Sequence, residues 1–365
     1  MPTLVMQSVM ESAVRNPDRV LGLCLPAVLA CSTAACSSSS GGGTDNWIVT
    51  TDGKSCQSPG PGLTDCGADQ ENCCTSVTIP GGSFYRSYST TIQGQLQGGT
   101  RGDPATVSPY RLDKYLVTVG RFRQFVAAFS GQNGGDKWKP EEGWGKHTHL
   151  YSGRGLQDSG SPGLFEPGWD SADDSSLTSG SLACDPELAT WTSAPGQNEN
   201  RPVNCVNWPL AYAFCIWDGG FLPSENEFEF ATAAGGQQRV FPWGNDDPGA
   251  SPDYVIYKCD YPPGNTTCTG VTNIAPVGTA RLGAGYYGQL DLAGELNEWM
   301  LDYNAGYTVP CTDCAFLTHA SGRSVRGGYF NSSSSIEILS SYRNEGLYPT
   351  NNFMSNGFRC ARSPQ

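Results

Sequence analysis

The chain has 365 residues, a formal net charge of −13 with a pI near 4.6, and no run of Lys or Arg. That balance argues against nucleic acid or an anionic membrane surface as a partner held by charge, and reads as solubility. Charged residues make up only 16% while Gly numbers 46 and Pro 25, so turns and irregular backbone should outweigh long helices, with 11% aromatic residues to pin the core.

Fifteen cysteines point to an oxidising compartment. The N-terminus agrees: Arg15 and Arg19 precede VLGLCLPAVLA (20–30), the layout of an export signal, whereas a spanning helix needs about 20 apolar residues. VLAC, ending at Cys31, and TAAC, ending at Cys36, both resemble bacterial lipoprotein signals whose cysteine is lipidated. With the lipid on Cys36, residues 1–36 form the signal, Cys24 and Cys31 leave with it, and twelve cysteines remain, an even number. SSSSGGG then opens a flexible tether over 37–45. The membrane enters only through such an anchor; the alternative is an ordinary cleaved signal and a soluble periplasmic or secreted protein.

Residues 46–75 hold Cys56, Cys66, Cys73 and Cys74 with too little apolar material for a core, so disulfides should staple them. Adjacent cysteines seldom bridge each other, so Cys73 and Cys74 should have different partners. A zinc knuckle competes weakly, outside the cytosol.

VTIPGGSFYRS (77–87) reads as a strand and a Pro-Gly-Gly turn, and YRLDKYLVT (110–118) as a strand entering a helix capped by Thr118. In that helix Phe122, Phe125, Val126 and Phe129 form one apolar stripe and Gly131 stops it. Residues 132–198, rich in Gly, Ser and Asp, read as long surface loops. KHTHL (146–150) sets His147 and His149 two apart, a possible metal pair without a third ligand, and a surface loop is the favoured reading. A second helix starts at Asn207 with Pro209 in its first turn and ends at Gly219. A third carries a Ser224–Glu227 capping box and ends at Gly235. FPWGND (241–246) is a turn. CTDC (311–314) lacks a thioredoxin-like pattern around it, so a structural disulfide is expected there, and a similar one between Cys259 and Cys268. The class is α+β, with two or three helices.

These residues carry a resemblance. PVNCVNWPLAYAFCIW, GGFLPSENEFEFATAAGG, FPWGN, APVG (275–278), LDLAGELNEWMLD (290–302), VRGGYF and NGFRCAR follow one another as in the formylglycine-generating enzyme, or sulfatase-modifying factor, family, over roughly residues 76–363. The resemblance implies that family's variant of the C-type-lectin-like fold, loop-rich with little regular secondary structure. Oxidase members convert a sulfatase cysteine to formylglycine with copper(I) held by two thiolates after the glycine pair, a soft ion on soft ligands. Here the window after Gly327 and Gly328 is YFNSSSSIEILSSYR: Ser332 stands at the first thiolate position and Glu337 near the second, and no cysteine lies between Cys314 and Cys360. Copper is therefore not expected. A serine nucleophile would need a neighbouring base, and none of the three histidines, His147, His149 and His319, is close in sequence. In iron-dependent relatives the resemblance implies a histidine triad from an extra helical domain, and no such domain is expected here.

The resemblance also implies calcium at LDLAGELNE, through the side chains of Asp291 and Glu298 and the carbonyls of Gly294 and Leu296, hard oxygens for a hard ion. The competing reading has Glu298 in a core ion pair. A second family site has Thr269 in place of its aspartate and should be lost. The expected function is a non-catalytic binding or scaffold module for a protein, peptide or glycan ligand. The alternative is a formylglycine-generating oxidase whose ligands come from elsewhere in the chain.

Overall fold

The computed structural model describes residues 47–88, 102–131, 137–344 and 346–365. The expected signal, tether and lipidation sites at Cys31 and Cys36 lie outside the described residues. The described residues open with β1 (Val49–Thr50), β2 (Ser76–Ile79), β3 (Gly82–Tyr85), β4 (Pro104–Val107), β5 (Tyr110–Asp113) and α1 (Val119–Ser130). Then come β6 (Gln157–Asp158), α2 (Trp208–Trp217) and α3 (Glu225–Thr232). Six short strands end it: β7 (Asn297–Tyr303), β8 (Cys311–Thr312), β9 (Cys314–Ala315), β10 (Arg323–Arg326), β11 (Asn356–Gly357) and β12 (Ala361–Arg362).

Four small sheets result. The first, in the order β1-β2-β5-β12, is antiparallel throughout and brings the last strand beside the fifth. β7 lies between antiparallel β10 and parallel β11; β4 lies between antiparallel β3 and parallel β8; β6 pairs with β9. The Pro80–Gly81 turn thus passes the chain from one sheet to another rather than closing a hairpin. Gly81 has φ +73°, and a Cβ there would stand 2.5 Å from the Val107 carbonyl oxygen.

The helices start where the sequence places them. Thr118 Oγ1 accepts from the Arg121 N–H, and Gly131 closes α1 in the left-handed region at φ 69°. Asn207 caps α2, of whose ten residues all but Ile216 are buried; Phe214 stacks on Phe122 and meets Phe358 edge to face. The Ser224–Glu227 capping box opens α3, which ends at Thr232, short of Gly235, because Ala234 turns into the left-handed region at φ 53° ahead of a separate 3₁₀ turn at Gly235–Gln237.

Two further expectations are corrected. Residues 137–198 are poor in regular structure, yet Leu156, Trp169 and Leu182 sit in the main core beside α1 and α2, so much of this segment is interior. His147, read as surface loop, is fully buried. The Cys-rich segment is stapled by Cys56–Cys74 and Cys66–Cys73, so the adjacent cysteines do take different partners. Its sulfurs share one apolar cluster with Tyr115, Leu116, Ile274 and Val277.

Regular hydrogen bonding is sparse, and buried charge adds cross-links between distant segments. Arg121 bridges Asp113 and Asp218, Arg362 bridges the same two carboxylates, and Arg121 also donates to the Cys73 carbonyl. Breaking one partner of such a network would strand a charge in a dry interior, which costs roughly 3–5 kcal/mol.

Candidate functional site

The glycine pair turns β10 into the serine window. Both glycines have positive φ, and a Cβ on Gly328 would stand 2.8 Å from the Glu337 carbonyl oxygen, so only glycine lets the window fold back onto its own strand. Ser332 is buried, its Oγ accepting from the Tyr329 N–H at 3.1 Å and its carbonyl from the Lys258 N–H at 3.0 Å. Glu337 Oε1 accepts from the N–H groups of Ser333 and Ser334 and from Ser333 Oγ, while Ser334 Oγ accepts from the Ile336 N–H. The result is a capping box on the 3₁₀ turn Ser335–Ile338. The residues expected where copper thiolates would stand hold the loop together.

Copper(I) does not fit this donor set. All twelve cysteines of the described residues are paired, in Cys56–Cys74, Cys66–Cys73, Cys184–Cys205, Cys215–Cys360, Cys259–Cys268 and Cys311–Cys314. The last two are the bridges read from spacing. One cysteine does approach the window: Cys259 Sγ lies 3.2 Å from Asn331 Oδ1, but it is tied to Cys268.

The loop expected to hold calcium is engaged from within. Arg359 Nε donates to both oxygens of Glu298 at 3.0 and 2.8 Å, and Nη2 to Oε1 at 2.8 Å. The same guanidinium donates to the carbonyls of Leu290 and Asp291. Asp291 Oδ2 accepts from the Gly278 N–H at 2.6 Å; Gly294 donates its N–H to Gly327, and Leu296 is buried in an apolar cluster. A cation would have to displace Arg359, so calcium does not fit the arrangement, and Glu298 takes the core ion-pair role. Burial pushes the Asp291 carboxyl up to about 6, against the opposing pull of the Gly278 N–H and Arg359. Thr269 donates its N–H to Asn273 Oδ1.

The cluster that the sequence did not disclose lies on α3, where all eight residues are buried, three of them glutamates. Glu227 Oε2 accepts from Ser224 and stands 3.0 Å from His147 Nε2; Glu166 lies 2.9 Å from the other ring nitrogen. Burial opposes the imidazolium, but the two carboxylates overcome it and push His147 up to about 10. Glu225 faces Arg326 and Arg343, and Glu229 faces Arg326. A water-sized cleft beside them, about 10 Å³, is lined by Arg86, Asn226, Asp302, Tyr307, Cys314 and Arg343. A larger cleft, about 330 Å³ and open to solvent, runs between the Cys-rich segment and the APVG turn, with Asp65, Gln70 and Asn200 on its walls.

Taken with the glycine-turn window, the capped α3 and the disulfide-tied C-terminal strand, these features define a sulfatase-modifying-factor-type domain. The chain belongs to that family: the model of the sulfatase-modifying factor enzyme 1-like domain matches residues 64–364. It is 28% identical to the formylglycine-generating enzyme of Thermomonospora curvata over 251 residues, 64% of this chain and 73% of that enzyme. It is 26% identical to the inactive C-alpha-formylglycine-generating enzyme 2 of Bos taurus over 295 residues, 78% of this chain and 87% of that protein. The structure of PvdO from Pseudomonas aeruginosa aligns with a TM-score of 0.51 at 18% identity, covering 83% of this chain and 97% of that one. The fold is the formylglycine-generating-enzyme variant of the C-type-lectin-like fold. The six disulfides mark an exported protein, and no helix among the described residues is long and apolar enough to cross a membrane.

Proposed function

We propose that this is a non-catalytic member of the family: an exported domain, lipid-anchored through Cys36 or Cys31, that binds a peptide or glycan ligand. One observation carries the reading. The hydroxyl of Ser332 and the carboxylate of Glu337 are spent on their own turn, and every described cysteine is oxidised, so the chain offers no pair of soft donors there. The similarity to a relative named inactive supports the same direction. The solvent-open cleft beside Asn200 has the volume at which small-ligand sites begin, about 300 Å³, and its amides and carboxylate suit hydroxyl or peptide hydrogen bonding.

The test is incubation of the purified protein with copper(I) and a sulfatase-type cysteine peptide under oxygen. No aldehyde and no stoichiometric copper(I) in competition with a chromophoric chelator are expected; aldehyde formation would sink the reading. A second reading, an oxidase using a displaced ligand, has one observation behind it: Cys259 beside Asn331. It requires copper(I) uptake on reduction of Cys259–Cys268 and loss of that uptake in Cys259→Ser. Lipidation is checked by the intact mass of the detergent-extracted protein, which should carry a diacylglyceryl group on the N-terminal cysteine.

A further inference from the structure

We propose that Cys311–Cys314 is a thiol–disulfide exchange site, taking a small thiol as its reaction partner at the cleft beside α3. This does not depend on the non-catalytic reading of the serine window, which lies elsewhere. The observations begin with placement. Of the six disulfides this one has the shortest separation, three residues, against 145 for Cys215–Cys360. A bridge that closes so short a loop removes little chain entropy, so opening it releases little stability. Both cysteines are buried, and Cys314 lines the water-sized polar cleft together with Arg86 and Arg343, so a thiol reaches it only when the cleft opens.

The sulfurs also have a built hydrogen-bond donor. Asn226 Nδ2, buried at the start of α3, stands 3.2 Å from Cys311 Sγ against 3.8 Å from Cys314 Sγ, and donates to the Cys314 carbonyl, with its own oxygen held by Arg86. A hydrogen-bond donor aimed at a sulfur favours its thiolate form. Cys311 is therefore the leaving group. The incoming thiolate attacks Cys314 Sγ, a new S–S bond forms there, the Cys311–Cys314 bond breaks, and the electron pair goes to Cys311 beside the Asn226 amide. A second thiol then releases the mixed disulfide, so two thiols and one protein disulfide give one external disulfide and a protein dithiol.

The turn between the two cysteines does not rely on the bond. Asp313 accepts from Ser108 N–H and Oγ at 2.6 and 2.7 Å, donates its N–H to Thr106, and takes the Gln157 N–H on its carbonyl. Both thiols should stay in place after reduction, ready to close again. Access requires the segment Ala305–Thr308 to lift; it is held by Arg86 on the Thr308 carbonyl and by Arg343 on that of Ala305.

The experiment uses the folded full chain in reduced and oxidised glutathione mixtures, quenched with an alkylating reagent and mapped by mass spectrometry. Cys311 and Cys314 should be labelled as a pair at least about tenfold faster than the other ten described cysteines. Asn226→Ala should slow that labelling about tenfold without moving the rates at the other bridges, and Cys311→Ser/Cys314→Ser should abolish the fast phase. Labelling of 311 and 314 only when the whole chain unfolds, or an unchanged rate in folded Asn226→Ala, would overturn the proposal. If the Asn226 variant does not fold, the wild-type labelling order decides alone.

Discussion

Replacing Glu298 with Gln separates the two roles that one carboxylate might play. In the structure it is fully buried and receives three contacts from a guanidinium that is itself inaccessible. The amide keeps the shape but removes the charge and turns one acceptor into a donor facing the guanidinium, leaving Arg359 with one neutral side-chain oxygen and four backbone carbonyls and no counter-charge at its head. Breaking one side of a buried pair costs about 3–5 kcal/mol. At roughly 2 °C per kcal/mol for a chain of this size, that is a fall in Tm of about 6–10 °C. Differential scanning calorimetry with millimolar CaCl2 and with EDTA is the assay. The wild-type Tm should be the same in both, and E298Q should lose the same amount in each. A calcium-dependent rise in wild-type Tm that disappears in E298Q would refute the ion-pair reasoning and return the loop to calcium.

Three further expectations follow from the buried charges. His147→Gln removes the cation between Glu166 and Glu227 and should cost about 3–5 kcal/mol in urea unfolding; a loss below about 1 kcal/mol would contradict the clamp. Burial and the neighbouring Glu225 push Asp302 up to about 7, above its usual value, so its folded form favours the proton. That contribution is complete at low pH and lost as pH rises through about 7, so Tm should climb on acidification from pH 8 to 6. Asp218, Glu225 and Glu227 are held below the usual carboxylate range by Arg121 and Arg362, by Arg326 and Arg343, and by His147, so stability should fall again once pH drops below about 4. A profile that falls from pH 8 to 6, or one with no acid limb, would contradict the assignment.

The helix starts were legible because capping is local: Thr118, Asn207 and Ser224 each act within three residues of themselves. The bridges Cys259–Cys268 and Cys311–Cys314 were legible for the same reason. The buried ion pairs were not. His147 meets Glu166 and Glu227, 19 and 80 residues away, so its GKHTHL surroundings look like any polar loop. A signal did exist in ENEFEF (225–230). Glu225, Glu227 and Glu229 alternate with Asn226, Phe228 and Phe230, so the helix has no clean polar face, and its glutamates must meet cations inside. The arginines of VRGG and SYR supply two of them, Arg326 and Arg343. The corrected end of α3 was hidden because Ala234, a residue that favours helix, takes the left-handed conformation ahead of the glycine that usually would.

The serine window shows how a loop can be organised without a metal. A pair of thiolates on one ion would cross-link such a segment from outside the backbone; here Glu337 reaches back to two N–H groups and Ser332 to a third, all within the same turn. The order of the window should then depend on the carboxylate and be indifferent to copper. Glu337→Ala strips the acceptor from Ser333 and Ser334, worth about 1 kcal/mol for a capping group. The two ends of the segment stay anchored, by the Lys258 N–H on the Ser332 carbonyl and the Ser340 N–H on the Val240 carbonyl, so the loss should appear as faster proteolytic nicking between residues 332 and 337 rather than as a large fall in Tm. Limited proteolysis read by mass spectrometry should give the same wild-type pattern with copper(I) or with a copper chelator, and a window-specific increase in E337A. Protection of the wild-type window by copper(I) would mean that the turn bonds are not what holds it.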